Sequence, residues 1–387
     1  MKTIGISRLV VTLFMGLALA LVSCTAAPAP SKPAEAPKQE PKQVVKEEPK
    51  PAPTQAPKAE PKQQAKEEPK PTAKPTPKPQ VIKMRAAYAA VDASFLPLWV
   101  TKEAGLFEKN ALDVELLFVE GGTKVMQALI GGDLQVAGIG GAPLVSAALG
   151  GADVVQVATG APVLPYKFVT VASINEPKDL KGKTVGVSGF GSASHFVTVL
   201  ALQEFGLKPD EDVTIVQTGG LSARLSALQT GANHGTVLSP PILYITEKMG
   251  LKVLGDLTEM DVSIEQGALA VNKKYMRENE EAVRRFVRAF TEGIHYLKTQ
   301  KQFSVNVMKN YLKMEDAAAL DEAYEFVSKK ATAKAKAPYV TEKGMRLLLE
   351  QNSNNPKAAT ANVKDFYDNR FVKELDDSGF IKKLYGE

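Results

Sequence analysis

From Val81 onward the sequence predicts an α/β protein of two lobes with a helical C-terminal region. Three observations predict it: short apolar runs alternate with helix-like stretches, glycine pairs repeatedly stand between run and helix, and the alternation gives way to helical periodicity after Asn279. Strands are expected at Ile82–Val91, Val114–Val119, Leu134–Ile139 and Val154–Ala158, and again at Lys167–Ala172, Thr184–Ser188, Thr214–Gln217, Gly235–Leu238 and Lys252–Leu254. Between them, helices are expected from Leu96, with Leu98 and Trp99 turned inward, from Gly121-Gly122-Thr123 through Leu129, and over Pro143–Leu149. Strand, glycine-rich turn and helix in repetition predict βα units on a largely parallel sheet. After Asn279, the residues Val283, Phe286, Val287, Phe290, Ile294 and Leu297 keep helical spacing; Arg284, Arg285 and Arg288 fall on the opposite face and read as solvated.

The N-terminal region is of another kind. Lys2 and Arg8 precede an apolar run, Leu9–Leu21, that is too short for a helix spanning a ~30 Å hydrocarbon core but suits the apolar part of a signal peptide. Leu21-Val22-Ser23-Cys24 then resembles the lipobox of bacterial lipoproteins, so residues 1–24 are expected to be a signal peptide ending in Cys24 as the acylated residue. Cys24 is the chain's sole cysteine, which leaves no thiol for disulfides, metal or catalysis. Residues 25–80 hold 15 of the 25 prolines, with no glycine and no aromatic residue, and PKQVVKEEPKP at Pro41–Pro51 returns as PKQQAKEEPKP at Pro61–Pro71. Such a stretch cannot bury enough surface to offset ordering entropy, and it reads as a disordered tether reaching between about 40 Å and about 170 Å.

Charge follows the same division. The chain has 48 Lys and Arg against 43 Asp and Glu, but residues 81–387 hold 35 against 36. The basic excess thus belongs to the leader and tether, and nothing in the globular part offers a footprint for nucleic acid. Enzyme motifs also fail on inspection. Gly189-Phe190-Gly191 has Ser194 where a dinucleotide fingerprint needs glycine or alanine, and Gly182-Lys183-Thr184 precedes a strand rather than a helix. Gly186-Val187-Ser188-Gly189-Phe190 lacks the last glycine of a nucleophile elbow. His234 and His295 have no partners at metal spacing, so neither a metal nor a cofactor is expected, and no catalytic residue is assigned.

Ligands of open α/β sheets bind beyond the carboxyl ends of strands, near helix N-termini. Four loops qualify here: Asp92-Ala93-Ser94-Phe95, Gly121-Gly122-Thr123, Gly140-Gly141-Ala142, and the longer Ser188–His195. Their glycines (Gly122, Gly140, Gly141, Gly191) admit a ligand close to backbone N–H groups, and Ser94, Thr123, Ser188, Ser192 and Ser194 add hydroxyls. Ser239 in VLSPP and Gln266 are further candidates. Each serine alone reads first as a helix N-cap; convergence on one face would make it a contact. Phe95 and Phe190 read either as a wall for an apolar part of the ligand or as packing under their own helices. His195, at a helix start, is disfavoured as imidazolium and is either a ligand donor or a cap. None of the four loops contains Lys or Arg, so a bound anion is expected to be held by dipoles.

Three segments, PLWVTKEAGLFEKNALDVELLFVEGG (Pro97–Gly122), MQALIGGDLQVAGIGG (Met126–Gly141) and DLKGKTVGVSGFGSASHF (Asp179–Phe196), resemble the nitrate, sulfonate and taurine family of periplasmic solute-binding proteins, whose domain is shared with binders of thiamine-pyrimidine precursors. The resemblance runs from about Met84 to Phe380. It implies a type II periplasmic-binding-protein fold with crossover strands near Leu164–Lys167 and Glu265–Ala268. The first lobe would then combine residues 81–165 and 267–387, and the second would be 166–266. Together with the lipobox at Cys24 and the lack of a spanning segment or Walker A motif in the sequence, it leads to the expectation of a monomeric, lipid-anchored receptor that passes a small polar organic anion to an ABC permease and ATPase on separate chains, touching the membrane only through its anchor. A sensory subunit and a binder of a neutral pyrimidine precursor remain open beside it. Fungal pyrimidine synthases of the same fold carry an iron-binding cysteine cluster, and this globular part has no cysteine, so an enzyme is not expected.

Overall fold

The computed structural model describes residues 80–260, 262, 264–332 and 336–387; the leader, Cys24 and the proline-rich stretch lie outside the described residues. The first sheet is built from β1 (Ile82–Tyr88), β2 (Leu112–Phe118), β3 (Val136–Ile139), β4 (Val154–Ala161) and β10 (Gln266–Asn272), in the order β2-β1-β3-β10-β4. The second holds β5 (Lys167–Thr170), β6 (Thr184–Val187), β7 (Thr214–Gln217), β8 (Gly235–Leu238) and β9 (Lys252–Asp256), in the order β7-β6-β8-β5-β9. The chain passes from the first sheet to the second between Ala161 and Lys167 and returns between Asp256 and Gln266. Two α/β lobes result.

Each sheet is largely parallel, as the sequence predicts, with one antiparallel strand. β1 runs parallel to β2 and β3, but the returning β10 enters antiparallel between β3 and β4. In the second lobe β6 runs parallel to β7 and β8, while β5 lies antiparallel to β8 and β9. Each departure belongs to a strand that enters its sheet from the other lobe, and strand direction there is set by the crossing rather than by a βα unit.

The helices of the first lobe are α1 (Leu96–Glu103), α2 (Leu106–Lys109), α3 (Gly122–Gly131) and α4 (Gly141–Leu149); those of the second are α5 (Ala193–Glu204) and α6 (Leu221–Gln229). The C-terminal region adds α7 (Lys273–Glu278), α8 (Glu280–Thr299), α9 (Lys301–Leu312), α10 (Ala317–Glu325), α11 (Glu342–Glu350), α12 (Arg370–Asp377) and α13 (Phe380–Leu384). Trp99 is fully buried and stacks on Tyr311, ring centroids 4.8 Å apart. Phe286 and Phe290 of α8 are buried as their spacing predicts, each worth about 1.5–3 kcal/mol. The opposite face of α8 is not simply solvated. Arg284 Nε meets Glu374 of α12 at 2.7 Å, and Arg288 lies 4.3 Å over the Phe380 ring, so the C-terminal helices cover that face. β4 would be an open edge, but Gln156 N–H donates to Phe366 O (3.0 Å) and Asp368 N–H to Gln156 O (2.8 Å), which seals it.

Register positions the functional loops. β1 and β2 pair in parallel over their whole length, Ile82 opposite Leu112 and Tyr88 opposite Phe118, so the loops at their carboxyl ends emerge side by side. Gly121 N–H then binds Ala89 O at 2.8 Å and pins one loop to the other. β6 and β7 pair in the same way, and Thr218 N–H donates to Val187 O at 2.8 Å.

Candidate functional site

The loops beyond β1, β2 and β3 face those beyond β6, β7 and β8 across a cavity of about 180 Å³. Seven residues expected from the sequence line it: Phe95, Gly122 and Gly140 from the first lobe, Ser188, Ser192 and Ser194 from the second, and Gln266 at the return crossing. The other seven lie elsewhere. Ser94 is buried beside Pro165 and Pro240, its N–H held by Asp92 Oδ1 at 2.8 Å. Gly141 packs where an added Cβ would meet Leu348 and Glu265. Thr123 and Phe190 line an adjoining space, where Thr123 Oγ1 donates to Phe190 O at 3.2 Å and so ties the two lobes together. Gly191 and His195 border a third, smaller space with Ser146 and Asn352. Ser239 is buried beside Asp92, whose ionised form its hydroxyl favours.

The second-lobe loop is organised by its serines. Ser188 Oγ, Ser192 Oγ and Ser194 Oγ form a triangle with sides of 2.9, 2.9 and 3.0 Å, and Ser188 N–H donates to Ser194 Oγ at 2.9 Å. Ser192 is also the N-cap of α5, accepting from His195 N–H at 3.3 Å. Cap and cavity wall are thus the same residue, which joins the two sequence readings. Gly191 has φ +74°, a backbone conformation open chiefly to glycine, and its N–H donates to His195 Nδ1 at 3.3 Å. That bond requires a lone pair on Nδ1, and burial holds the His195 pKa below its ordinary value, so the imidazole is neutral at pH 7. Phe190 is half exposed and stands edge-on to His195, centroids 5.4 Å apart.

The charged residues lining the cavity were missed or undervalued by the sequence reading. Arg224 lies inside α6, not in any of the four loops, and is 5 % exposed. Its Nη1 donates to Thr236 Oγ1 (3.2 Å) and Val237 O (2.5 Å), while Nε has no partner among the described residues. The sequence reading expects dipoles alone to hold a bound anion; the cavity is lined by a guanidinium as well. A signal was present. Arg224 shares the buried face of α6 with Leu225 and Leu228, an unusual place for a guanidinium. Asp92, 5 % exposed, faces the cavity from the first lobe. Burial raises its pKa, against the lowering effects of Ser94, Arg224 and Ser239. Asp92 and Arg224 interact electrostatically, yet no ion pair within 4.0 Å joins them among the described residues.

Tyr166 and Glu120 complete the lining. Tyr166 stands at the first crossing and Gln266 at the second, and Gln266 Nε2 donates to the Tyr166 hydroxyl at 2.8 Å. Burial, with a smaller contribution from Asp92, raises the Tyr166 pKa and keeps the phenol protonated. Glu120 projects from the first lobe over Gly220, the N-cap of α6, so closely that a Cβ on Gly220 would collide with its carboxylate. The large apolar side chains Phe95, Phe118, Leu221, Ile242, Leu312 and Met314 also line it.

The fold is that of the periplasmic aliphatic sulphonate binding protein SsuA from Escherichia coli (TM-score 0.55, 18 % identity, covering 72 % of this chain and 88 % of that one). It is also that of the alkanesulfonate-binding protein SsuA from Xanthomonas axonopodis pv. citri bound to MOPS (0.60, 15 %, 74 % and 96 %). The periplasmic nitrate-binding protein NrtA from Synechocystis PCC 6803 is similar too (0.61, 12 %, 78 % and 89 %). At these identities the likeness is one of fold, and it bears out the type II periplasmic-binding-protein architecture. In sequence, the chain is 21 % identical over 291 residues to YtlA of Bacillus subtilis (strain 168), named as a binding protein, covering 71 % of this chain and 85 % of that one. The family model described as NMT1/THI5 like matches residues 92–302, more than half of the chain and parts of both sheets. On that match, the chain belongs to the NMT1/THI5-like family.

Proposed function

We propose that this protein is an extracytoplasmic solute-binding receptor that captures a small polar organic molecule between its lobes and delivers it to an ABC importer. The observation that carries the reading is the cavity itself, which takes buried polar groups from both lobes at once: Asp92 from one, Ser192, Ser194 and Arg224 from the other. A molecule that contacts both sides favours the closed arrangement over any open one, and the permease reads that closed outline. Arg224 supplies the positive charge for an acidic group on the ligand, with the serine loop and the Tyr166 hydroxyl as neutral donors. That sulfonate- and nitrate-binding proteins share the fold supports the transport reading. Residues 81–165 with 267–387 move as one body and 166–266 as the other. Cys24 carries the lipid, residues 25–80 hold the receptor away from the membrane, and permease and ATPase are separate chains; among the described residues no helix is long and apolar enough to cross a membrane.

Two measurements test this. Native mass spectrometry of the full chain, purified in detergent from its own cells, should find one small molecule per protein that is lost on unfolding. Cys24→Ser should abolish labelling with radioactive palmitate and release the protein from the membrane fraction. Protein that carries no small molecule under any growth condition would overturn the receptor reading; membrane-bound, palmitate-labelled Cys24→Ser protein would overturn the anchor.

A further inference from the structure

The lining of the cavity is graded in an unusual way. Deeply buried polar side chains line it, Asp92 and Arg224 at 5 % exposure, Gln266 at 3 % and Ser192 at 2 %, beside one aromatic ring buried to the same degree, Phe95 at 4 %. Five apolar side chains are more open, Phe118 at 47 % and Leu221, Ile242, Leu312 and Met314 half-buried, and the exposed Glu120 stands among the open lining residues with them. A ligand matching that gradient enters with its polar end first and leaves an apolar portion against Phe118.

The charges select further. Asp92 and Arg224 come from opposite lobes, lie close enough to influence each other, and form no ion pair; the Arg224 Nε has no hydrogen-bond partner among the described residues. Two buried opposite charges held apart are costly unless something between them satisfies both. With Glu120, carboxylates outnumber the guanidinium in the lining by two to one. A bare oxyanion would satisfy Arg224 and leave the Asp92 and Glu120 carboxyls without a partner.

We propose that the ligand is an amphiphilic zwitterion, with a cationic nitrogen paired to Asp92, an acidic group paired to Arg224 and an apolar portion on Phe118, Leu312 and Met314. This rests on the receptor reading above and names its ligand class. Asp92 and Arg224 are the specificity residues: each lobe supplies one charge, and the ligand replaces the missing ion pair between the lobes.

Calorimetry on the full chain, purified in detergent and stripped of small molecules, tests it with two matched sets of probes. The zwitterions are L-leucine and L-phenylalanine. Their deaminated counterparts are 4-methylpentanoate and 3-phenylpropanoate; their decarboxylated counterparts are 3-methylbutylamine and 2-phenylethylamine. At least one zwitterion should bind more than about tenfold tighter than both of its counterparts, since each lacks one charge pair. Asp92→Asn keeps an acceptor for Ser94 N–H, so folding is retained, and it should bring the acid level with the amino acid. Phe118→Ala, at an exposed position, should weaken L-phenylalanine binding severalfold. Equal binding of acid and amino acid in the native protein, discrimination that survives Asp92→Asn, or no heat from either zwitterion overturns the proposal. Tight binding of ethanesulfonate or nitrate in its place overturns the ligand class alone and leaves the receptor standing.

Discussion

Gly191 and His195 share one hydrogen bond whose direction fixes a pH response. The Gly191 N–H donates to Nδ1, so protonating that nitrogen removes the acceptor. Burial lowers the His195 pKa in the folded chain, whereas the unfolded chain keeps the ordinary value of 6.5. Below that value the unfolded state binds more protons, so the stability contribution is whole above pH 6.5 and is lost as pH falls through the folded pKa. His295, also lowered by burial, adds the same sign. Asp92 and Glu265 have raised pKa values and the opposite sign, regaining stability as pH falls, so a single melting curve mixes both effects. The clean measurement is the difference in melting temperature between native protein and His195→Gln from pH 7.5 to pH 5.5. That difference should narrow steadily with acidification; a constant difference would show that His195 does not titrate differently on folding.

At the scale of elements, α5 and α6 show why one part of the site was legible in the sequence and another was not. The Ser188–His195 loop announces itself locally, because a strand end, two glycines and a capping serine stand within eight residues. Arg224 does not, since what matters is that α6 turns its arginine inward toward Thr236 and Val237, twelve and thirteen residues on. A search confined to loops passes over it. The antiparallel entries of β10 and β5 were likewise illegible, because pairing partners far apart in sequence leave no local signature, whereas the βα alternation is written in adjacent residues. Ser192 is the test case for a cap that also lines the cavity. Ser192→Ala loses the bond from His195 N–H and two sides of the serine triangle, and should cost about 1 kcal/mol in urea unfolding, within the range for lost N-caps. No loss of stability would mean that water replaces the cap at no cost.

For the molecule as a whole, the proposed tether and the proposed receptor are expected to make separable contributions. Deleting Ser31–Gln80 should leave solute affinity unchanged while reducing transport in cells, because the deleted stretch has no aromatic and only Val44 and Val45 as large aliphatics with which to recognise anything. A tenfold shift in Kd, about 1.4 kcal/mol, would show that the stretch takes part in binding. The two sheets also differ in how their strands are gathered from the chain. The second is contiguous, β5 to β9, and is complete once Asp256 has been made; the first needs β10 and the edge-sealing residues Phe366–Asp368. On a chain that emerges N-terminus first, as during secretion, the order of completion therefore reverses the order of sequence. The earliest strands, β1 to β4, wait with their partner faces unfilled while the middle of the chain closes, and the lobe that begins first is the last to finish.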